Sequence, residues 1–203
     1  MANLIVHILQ GRPPGAFLER CLASIKQSQL DHVIVPNEGK SILSGRYAGY
    51  DVDATHVSYL DDDDEIMLPA SDAQELILLG KPAIFTNSYA ITEGKPDRPC
   101  IPLSVKEWSL RSEKARECRP HQTLILEKDI AVSILKATEL LQKQKGWYEN
   151  TCDFTFRLMV STTVGWHYDP ILTYKWYVHS GGHHQTCQNK FSEIRNYFLG
   201  PNK

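Results

Sequence analysis

The first third of the chain alternates short apolar runs with stretches of helical periodicity. Leu4 to Leu9 is apolar and rich in β-branched residues, and the QGRPPG sequence after it cannot continue a strand. Apolar residues then recur every three or four positions over 17–25, and further apolar runs cover 32–35 and 56–60. With a short helix expected over 46–53, this order predicts a doubly wound α/β fold with a parallel sheet.

The rest of the chain predicts a mixed arrangement. The same patterning predicts helices over 71–79, 130–145 and 153–160, strands over 83–90, 123–126 and 171–178, a loop over 92–102, and a polar tail. Because no repeat or linker-like segment interrupts the pattern, we expect a single domain over 1–203.

Charge and cysteine usage narrow the class of protein. A formal net charge of −2 gives no overall attraction to nucleic acid or to an anionic membrane. The five cysteines are odd in number and show no CxxC spacing, which favours reduced thiols and a cytoplasmic location. No apolar run approaches the length of a membrane span, so we expect none.

The candidate chemistry lies in five consecutive carboxylates, Asp61 to Glu65, directly after the third apolar run. At the carboxyl end of a parallel strand they would lie where open α/β sheets bind ligands. In extended chain Asp61 and Asp63 point to one side and Asp64 to the other. Mg²⁺ or Mn²⁺ would relieve the repulsion between them, and a solvated acidic turn is the alternative. An EF-hand is excluded because Ile66 stands where that loop needs glycine.

Several segments around this run resemble family 2 glycosyltransferases. SGRYAGYDVDATHVSYLDDDDEI resembles the family's segment from an Arg-Asn-x-Gly motif through a strand into the DxD motif, with Arg46 placed as in that family. LIVHILQGRPPGAFLERCLASI resembles its first strand, nucleotide loop and first helix, and DHVIVPNEGKS its second strand and following turn. The resemblance implies a GT-A-like, Rossmann-like fold, with a mainly parallel central sheet and helices on both faces.

The resemblance also implies a donor site and a metal site. The nucleotide-sugar would be bound by residues from the first loop, the second turn and the acidic run: Gln10, Gly11, Arg12, Asn37, Arg46, Asp61 and Asp62. Mn²⁺ or Mg²⁺ would be held by Asp61 and Asp63. Two positions depart from the family: its Asp-Asp-Gly-Ser-like turn is PNEG here, and its Asn after the arginine is Tyr47.

Later segments extend the resemblance. DFTFRL resembles the end of the Glu-Asp-x-Asp-x-x-x-Arg-Leu helix that carries the family's catalytic base, which implies Asp153, or Glu149 after a small shift. ILTYKWYVH resembles a late strand whose final histidine reaches the metal, here His179, with His183 and His184 as competitors. A helix cap for Asp153 and a surface role for each histidine are the alternatives.

The implied function is a metal-dependent, inverting glycosyltransferase that moves a sugar from a nucleoside-diphosphate sugar, UDP being the first choice. Residues from about 1 to 90 would form the nucleotide-sugar-binding half, and those from about 91 to 203 the acceptor-binding and catalytic half. The acceptor stays open between a saccharide, a lipid-linked saccharide, a protein and a modified nucleic-acid base. A non-catalytic nucleotide-sugar-binding remnant and a nucleotidyltransferase are the alternatives, the latter disfavoured because QGRPPG lacks the usual lysine.

Overall fold

The computed structural model describes residues 3–37, 43, 45, 51–102, 124–147, 152–178 and 188–200. The helices in these ranges are α1 (Ala16–Ser28), α2 (Ala70–Leu78), α3 (Lys128–Lys145), α4 (Cys152–Thr163) and α5 (Gln188–Leu199). The strands are β1 (Leu4–Gln10), β2 (Asp31–Pro36), β3 (His56–Asp61), β4 (Glu65–Ile66), β5 (Ala83–Ile91), β6 (Arg98–Cys100), β7 (Leu124–Glu127) and β8 (Trp166–Tyr177).

All eight of these strands join one sheet, in the order β2-β1-β3-β7-β5-β8-β4, with β6 paired to β5. Strand β1 is parallel to β2 and to β3, and β5 is parallel to β8. Strand β7 lies between β3 and β5 and is antiparallel to both, so β5 runs in the same direction as β3. Five of the eight described strands, β1, β2, β3, β5 and β8, therefore run in one direction, and β4, β6 and β7 run in the other. In this sense the sheet is mainly parallel, as the sequence predicts.

Helices cover both faces of the sheet, because successive side chains of each strand point to opposite faces. Leu60 of β3 and Ile84 of β5 pack in a buried cluster with α1 and α2. Their neighbours Tyr59 and Phe85 pack in a second cluster with α3 and α4. The α/β fold with helices on both faces is confirmed.

A third buried cluster joins α3, α4 and α5 away from the strands. Its members include Leu141 of α3, Leu158 of α4 and Ile194 of α5. The indole of Trp147 belongs to the same cluster and donates a hydrogen bond from Nε1 to Glu193 Oε1 at 2.8 Å. Helix α4 is therefore packed on one side against the sheet and on another against its neighbouring helices.

Most predicted elements are confirmed within a few residues, and three predictions are wrong in whole or in part. The loop predicted over 92–102 contains β6, a three-residue strand with Pro99 at its centre. Among the described strands β6 pairs with β5 alone, an edge position where the missing amide of a proline is tolerated. The predicted polar tail contains α5, which buries Ile194 completely. The helix predicted over 46–53 is wrong at positions 51–53, which are not helical, whereas residues 43 and 45 are helical. Its positions 46–50 lie outside the described residues.

Candidate functional site

The acidic run forms a turn at the carboxyl end of β3. The amide of Asp64 donates to the carbonyl of Asp61 at 3.1 Å, which closes the turn between β3 and β4. The amide of Asp62 donates to the carbonyl of Leu9 at 3.3 Å, so the turn lies beside the end of β1. Since β1 and β3 are parallel neighbours, the loop after β1 faces the acidic turn.

Asp62 fastens that loop to the turn. Its Oδ2 accepts hydrogen bonds from the backbone amides of Gly11 at 3.0 Å and Arg12 at 3.1 Å. Burial and the neighbouring Asp63 carboxylate raise the pKa of Asp62, against the lowering effect of Arg12 and the two amides. Three residues that the sequence assigns to the donor site, Gly11, Arg12 and Asp62, are therefore in direct contact.

Asp64 is the most deeply buried member of the run, with 1% of its surface exposed. Its Oδ2 accepts the hydroxyl of Tyr174 at 2.5 Å, and its Oδ1 accepts the amide of Tyr177 at 2.8 Å. Burial, together with the charges of Asp61 and Asp63, raises the pKa of Asp64 well above its usual value. Asp64 thereby joins the acidic turn to β8.

Three carboxylates of the turn converge. Asp61, Asp63 and Asp64 each place one oxygen within 4.8 Å of the others. The expectation that Asp64 points away from Asp61 and Asp63 is wrong, because alternation applies to extended chain and Asp62 and Asp63 form a turn. Carboxylate oxygens are the ligands that hard divalent cations such as Mg²⁺ and Mn²⁺ take in proteins, so the chemistry of this donor set is compatible with such an ion.

Two arginines neutralise the turn, and the sequence identifies only one of them. Arg12 places Nη1 2.7 Å from Asp63 Oδ2 and 3.6 Å from Asp62 Oδ1. Arg20, on α1, donates from its guanidinium to the backbone carbonyl of Asp63 and lies 3.3 Å from Glu65 Oε1. The sequence offers one indication that Arg20 belongs to the site, which is its position as a cation on the helix that follows the first loop.

Two residues at the end of β8 contact Arg20 or its partner Glu65. The guanidinium carbon of Arg20 stacks 3.7 Å from the ring centroid of Tyr177, whose hydroxyl donates to Glu65 Oε1 at 2.6 Å. Lys175 lies 3.4 Å from the other oxygen of Glu65. Burial and Glu65 raise the pKa of Tyr177 to about 12, so its hydroxyl stays protonated and continues to donate.

Helix α4 brings Asp153 towards the same edge of the sheet. Residues 164 and 165 alone separate α4 from the start of β8, so the carboxyl end of α4 lies near the amino end of that parallel strand. The ring of Phe156 packs edge-on against that of Tyr59, with 5.9 Å between the ring centroids. Tyr59 lies in β3, two residues before Asp61. Asp153, in the first turn of α4, therefore lies at the end of the helix that is away from the amino end of β8.

The predicted nucleotide residues at the ends of β1 and β2 are in contact. Gln10 donates from Nε2 to the carbonyl of Arg12 at 2.9 Å, and its own carbonyl accepts the amide of Asn37 at 2.8 Å. Asn37 is buried beside Gly45: a β-carbon there would lie 2.4 Å from Asn37 Oδ1 and 2.3 Å from Leu9 Cδ1. Any other residue at position 45 would force the side chains of Leu9 and Asn37 to shift.

Several predicted site residues lie outside the described ranges: Arg46, Glu149, His179, and the competing His183 and His184. Among the helices that the structure describes, none combines the length and apolarity needed to cross a membrane.

No protein-family model matches the chain, and no curated protein does. Solved structures do match. The structure of Staphylococcus aureus TarS 1–349 in complex with UDP-GlcNAc is 11% identical, with a TM-score of 0.60 over 96% of this chain and 64% of that chain. The complex of TarS 1–349 with UDP is 11% identical, with a TM-score of 0.55 over 97% of this chain and 70% of that chain.

TarS is a glycosyltransferase. This chain has a GT-A-like fold. At such low identity the likeness shows the fold alone, and the chain spans 64% of the first TarS structure. The Asp61, Asp63 and Asp64 cluster is compatible with a DxD motif in that fold.

Proposed function

We propose that the chain is a metal-dependent, inverting glycosyltransferase that uses a UDP-sugar and a hydroxyl acceptor. One observation carries the proposal: in a GT-A-like fold, the Asp61, Asp63 and Asp64 carboxylates converge at the carboxyl edge of the sheet, beside the loop after β1. UDP is the first choice of nucleotide because TarS was crystallised with UDP-GlcNAc and with UDP.

The metal proposal rests on the chemistry of the donor set. Asp61 and Asp63 would hold Mn²⁺ or Mg²⁺, with Asp64 as a third oxygen donor and His179 as a further candidate ligand. When bound, such an ion supplies positive charge for the departing diphosphate. Asp62 has a different role, since its carboxylate already accepts two loop amides and so fixes where the loop lies.

The donor would lie across the ends of β1, β2 and β3. Gly11 and Arg12 face the acidic turn and would lie nearest the diphosphate. Gln10 and Asn37, where β1 and β2 end, would lie nearest the base and ribose. Arg46 follows Gly45, which packs against Asn37 at these strand ends, and would contact a phosphate or the aspartates.

Transfer requires a base for the acceptor hydroxyl. Asp153, or Glu149 as the second candidate, would take the hydroxyl proton as that oxygen attacks the anomeric carbon. The bond from the anomeric carbon to the diphosphate breaks in the same displacement, which inverts the centre. The first turn of a helix favours an ionised carboxylate, because its free amides and dipole stabilise negative charge.

The first test is a thermal-shift titration with UDP. We expect UDP to raise the Tm in the presence of Mn²⁺ and not in EDTA, because the acidic turn repels phosphate without a cation. An equal shift in EDTA would contradict the metal-bridged site. A larger, metal-dependent shift with UTP than with UDP would favour a nucleotidyltransferase.

Activity separates an enzyme from a binding remnant. We expect Mn²⁺-dependent release of UDP from UDP-GlcNAc, measured with and without saccharide acceptors. Metal-dependent UDP binding with no turnover of any nucleotide-sugar would favour the remnant.

A matched pair of variants tests the roles of Asp63 and Asp64. Both Asp63→Ala and Asp64→Ala should lose the Mn²⁺-dependent UDP shift. Only Asp64→Ala should also lower the free energy of unfolding, by about 1–3 kcal/mol, because it leaves the Tyr174 hydroxyl and Tyr177 amide without their acceptor. Urea unfolding measures this difference.

Asp53→Ala is the control for this pair, since Asp53 is exposed and away from the turn. It should match the wild type in both assays. Full stability of Asp64→Ala, or a retained Mn²⁺-dependent shift in Asp63→Ala, would show that these roles are assigned incorrectly.

A further inference from the structure

We propose that the Arg12 guanidinium and the divalent cation compete for the carboxylate of Asp63, and that Arg12 transfers to the diphosphate when the cation binds. This inference rests on the proposed function and assigns a coupling role to one residue of the site. It arises from the position of the Arg12 side chain on the acidic turn.

The contact places a positive charge on a carboxylate proposed for the metal. Arg12 Nη1 lies 2.7 Å from Asp63 Oδ2, the shortest of its contacts with the turn, and 3.6 Å from Asp62 Oδ1. A divalent cation among Asp61, Asp63 and Asp64 would lie close to this guanidinium, and like charges at such a separation repel each other strongly. Binding of the cation therefore favours displacement of the Arg12 side chain.

The backbone of Arg12 stays in place when its side chain moves. Its amide and that of Gly11 are held by Asp62 Oδ2, a contact that does not involve the guanidinium. The side chain itself is 46% exposed and otherwise stacks loosely over Phe17, at 5.3 Å from the ring centroid. The loop therefore keeps the guanidinium within reach of both the acidic turn and any phosphate beside it.

Arg20 shows the contrasting arrangement at the same turn. Its guanidinium is held by the Asp63 carbonyl, by Glu65 and by the face of the Tyr177 ring. These partners do not include a carboxylate proposed to bind the metal. Arg20 can therefore remain in place when the cation binds, whereas Arg12 shares the Asp63 carboxylate with it.

The exchange couples the two ligands. When the cation binds alone, it displaces the Arg12 guanidinium, which then has no new anionic partner in the site. When a diphosphate binds as well, its oxygens offer the guanidinium a bidentate partner. Metal and nucleotide should therefore bind more tightly together than separately, and part of that coupling should pass through Arg12. Loss of Arg12 should have opposite effects on the two affinities.

The test measures both affinities in Arg12→Gln and Arg12→Lys. Mn²⁺ binding without nucleotide is followed by electron paramagnetic resonance of free Mn²⁺, and UDP binding at saturating Mn²⁺ by calorimetry. We expect R12Q to bind Mn²⁺ alone more tightly by about two- to fivefold, the range that loss of a surface ion pair gives. We expect the same variant to bind UDP about tenfold more weakly, because a charge-assisted contact is lost.

Arg12→Lys should fall between the wild type and R12Q, since it keeps the charge and loses the bidentate geometry. Lys26→Gln, an exposed cation on the last turn of α1, controls for net charge and should match the wild type. Both Arg12 variants keep the backbone amide that Asp62 accepts, so the loop is preserved.

The outcomes separate this inference from the proposed function. Suppose that the wild-type protein binds Mn²⁺ and UDP together, but that R12Q binds Mn²⁺ no more tightly than the wild type. That result overturns the competition between Arg12 and the cation and leaves the proposed function standing. Unchanged UDP affinity in R12Q overturns the transfer of Arg12 to the diphosphate. Wild-type protein that binds neither ligand overturns both proposals.

Discussion

Asp153→Asn should lower sugar transfer by about 100-fold or more while leaving Mn²⁺-dependent UDP binding unchanged. Asparagine keeps the size of the side chain and one acceptor oxygen, but it cannot take a proton from an acceptor hydroxyl. Asp153 lies in the first turn of α4, three residues before Phe156, which contacts Tyr59 of β3. Release of UDP from UDP-GlcNAc, measured at saturating Mn²⁺, gives the rate, and the thermal shift gives the binding.

Asp129→Asn provides the matched control, since Asp129 is an exposed aspartate in the first turn of α3. It should have the wild-type rate. If Asp153→Asn transfers sugar nearly as fast as the wild type, Asp153 only stabilises the first turn of its helix, and Glu149→Gln becomes the decisive variant. Activity in both variants would place the base outside this segment.

Leu158→Ala should lower the free energy of unfolding by about 2–5 kcal/mol, the usual cost of truncating a buried leucine. Leu158 is 0% exposed and packs in the cluster formed by α3, α4 and α5. Truncation removes apolar contacts and leaves a cavity that the helices fill only partly. Denaturant unfolding, followed by circular dichroism, measures the change.

Leu140→Ala removes the same atoms from α3, where the side chain is 58% exposed, and should change the free energy of unfolding by about 0.5 kcal/mol or less. Equal losses in the two variants would show that the third cluster does not stabilise α4. Because α4 also carries Asp153, a loss confined to Leu158→Ala would identify this cluster as the support for the candidate base.

The parts of the fold that follow from local pattern could be predicted from the sequence. Continuous apolar runs identify β1 and β3 because both faces of these strands are buried. Strand β6 could not be predicted, because Arg98 to Cys100 is three residues long, contains a proline and lacks an apolar alternation. Its pairing with β5 depends on the two segments lying side by side in the fold. Helix α5 had a signal in the sequence, because Phe191, Ile194 and Phe198 recur at helical spacing within an otherwise polar segment. Ile194 is a member of the third buried cluster and Phe198 packs against it.

The location of the candidate site was also predictable, whereas its internal geometry was not. Carboxylates directly after a parallel strand must lie at the carboxyl edge of the sheet. The position of Asp64 depends on hydrogen bonds from Tyr174 and Tyr177, which are distant in sequence. The contact of Arg20 with the acidic site likewise could not be predicted, because it depends on Tyr177 of β8, which is distant in sequence.

The central position of β7 has a consequence for the order of folding. His56 of β3 pairs with Glu127 of β7, and Ala83 of β5 pairs with Leu126, so the middle of the sheet joins residues that are far apart in the chain. During synthesis β1, β2 and β3 emerge early, and one edge of β3 keeps unpaired backbone groups until β7 follows. Such long-range pairing raises the contact order, which slows folding and leaves the edge of β3 open to pairing with other chains until β7 has been made.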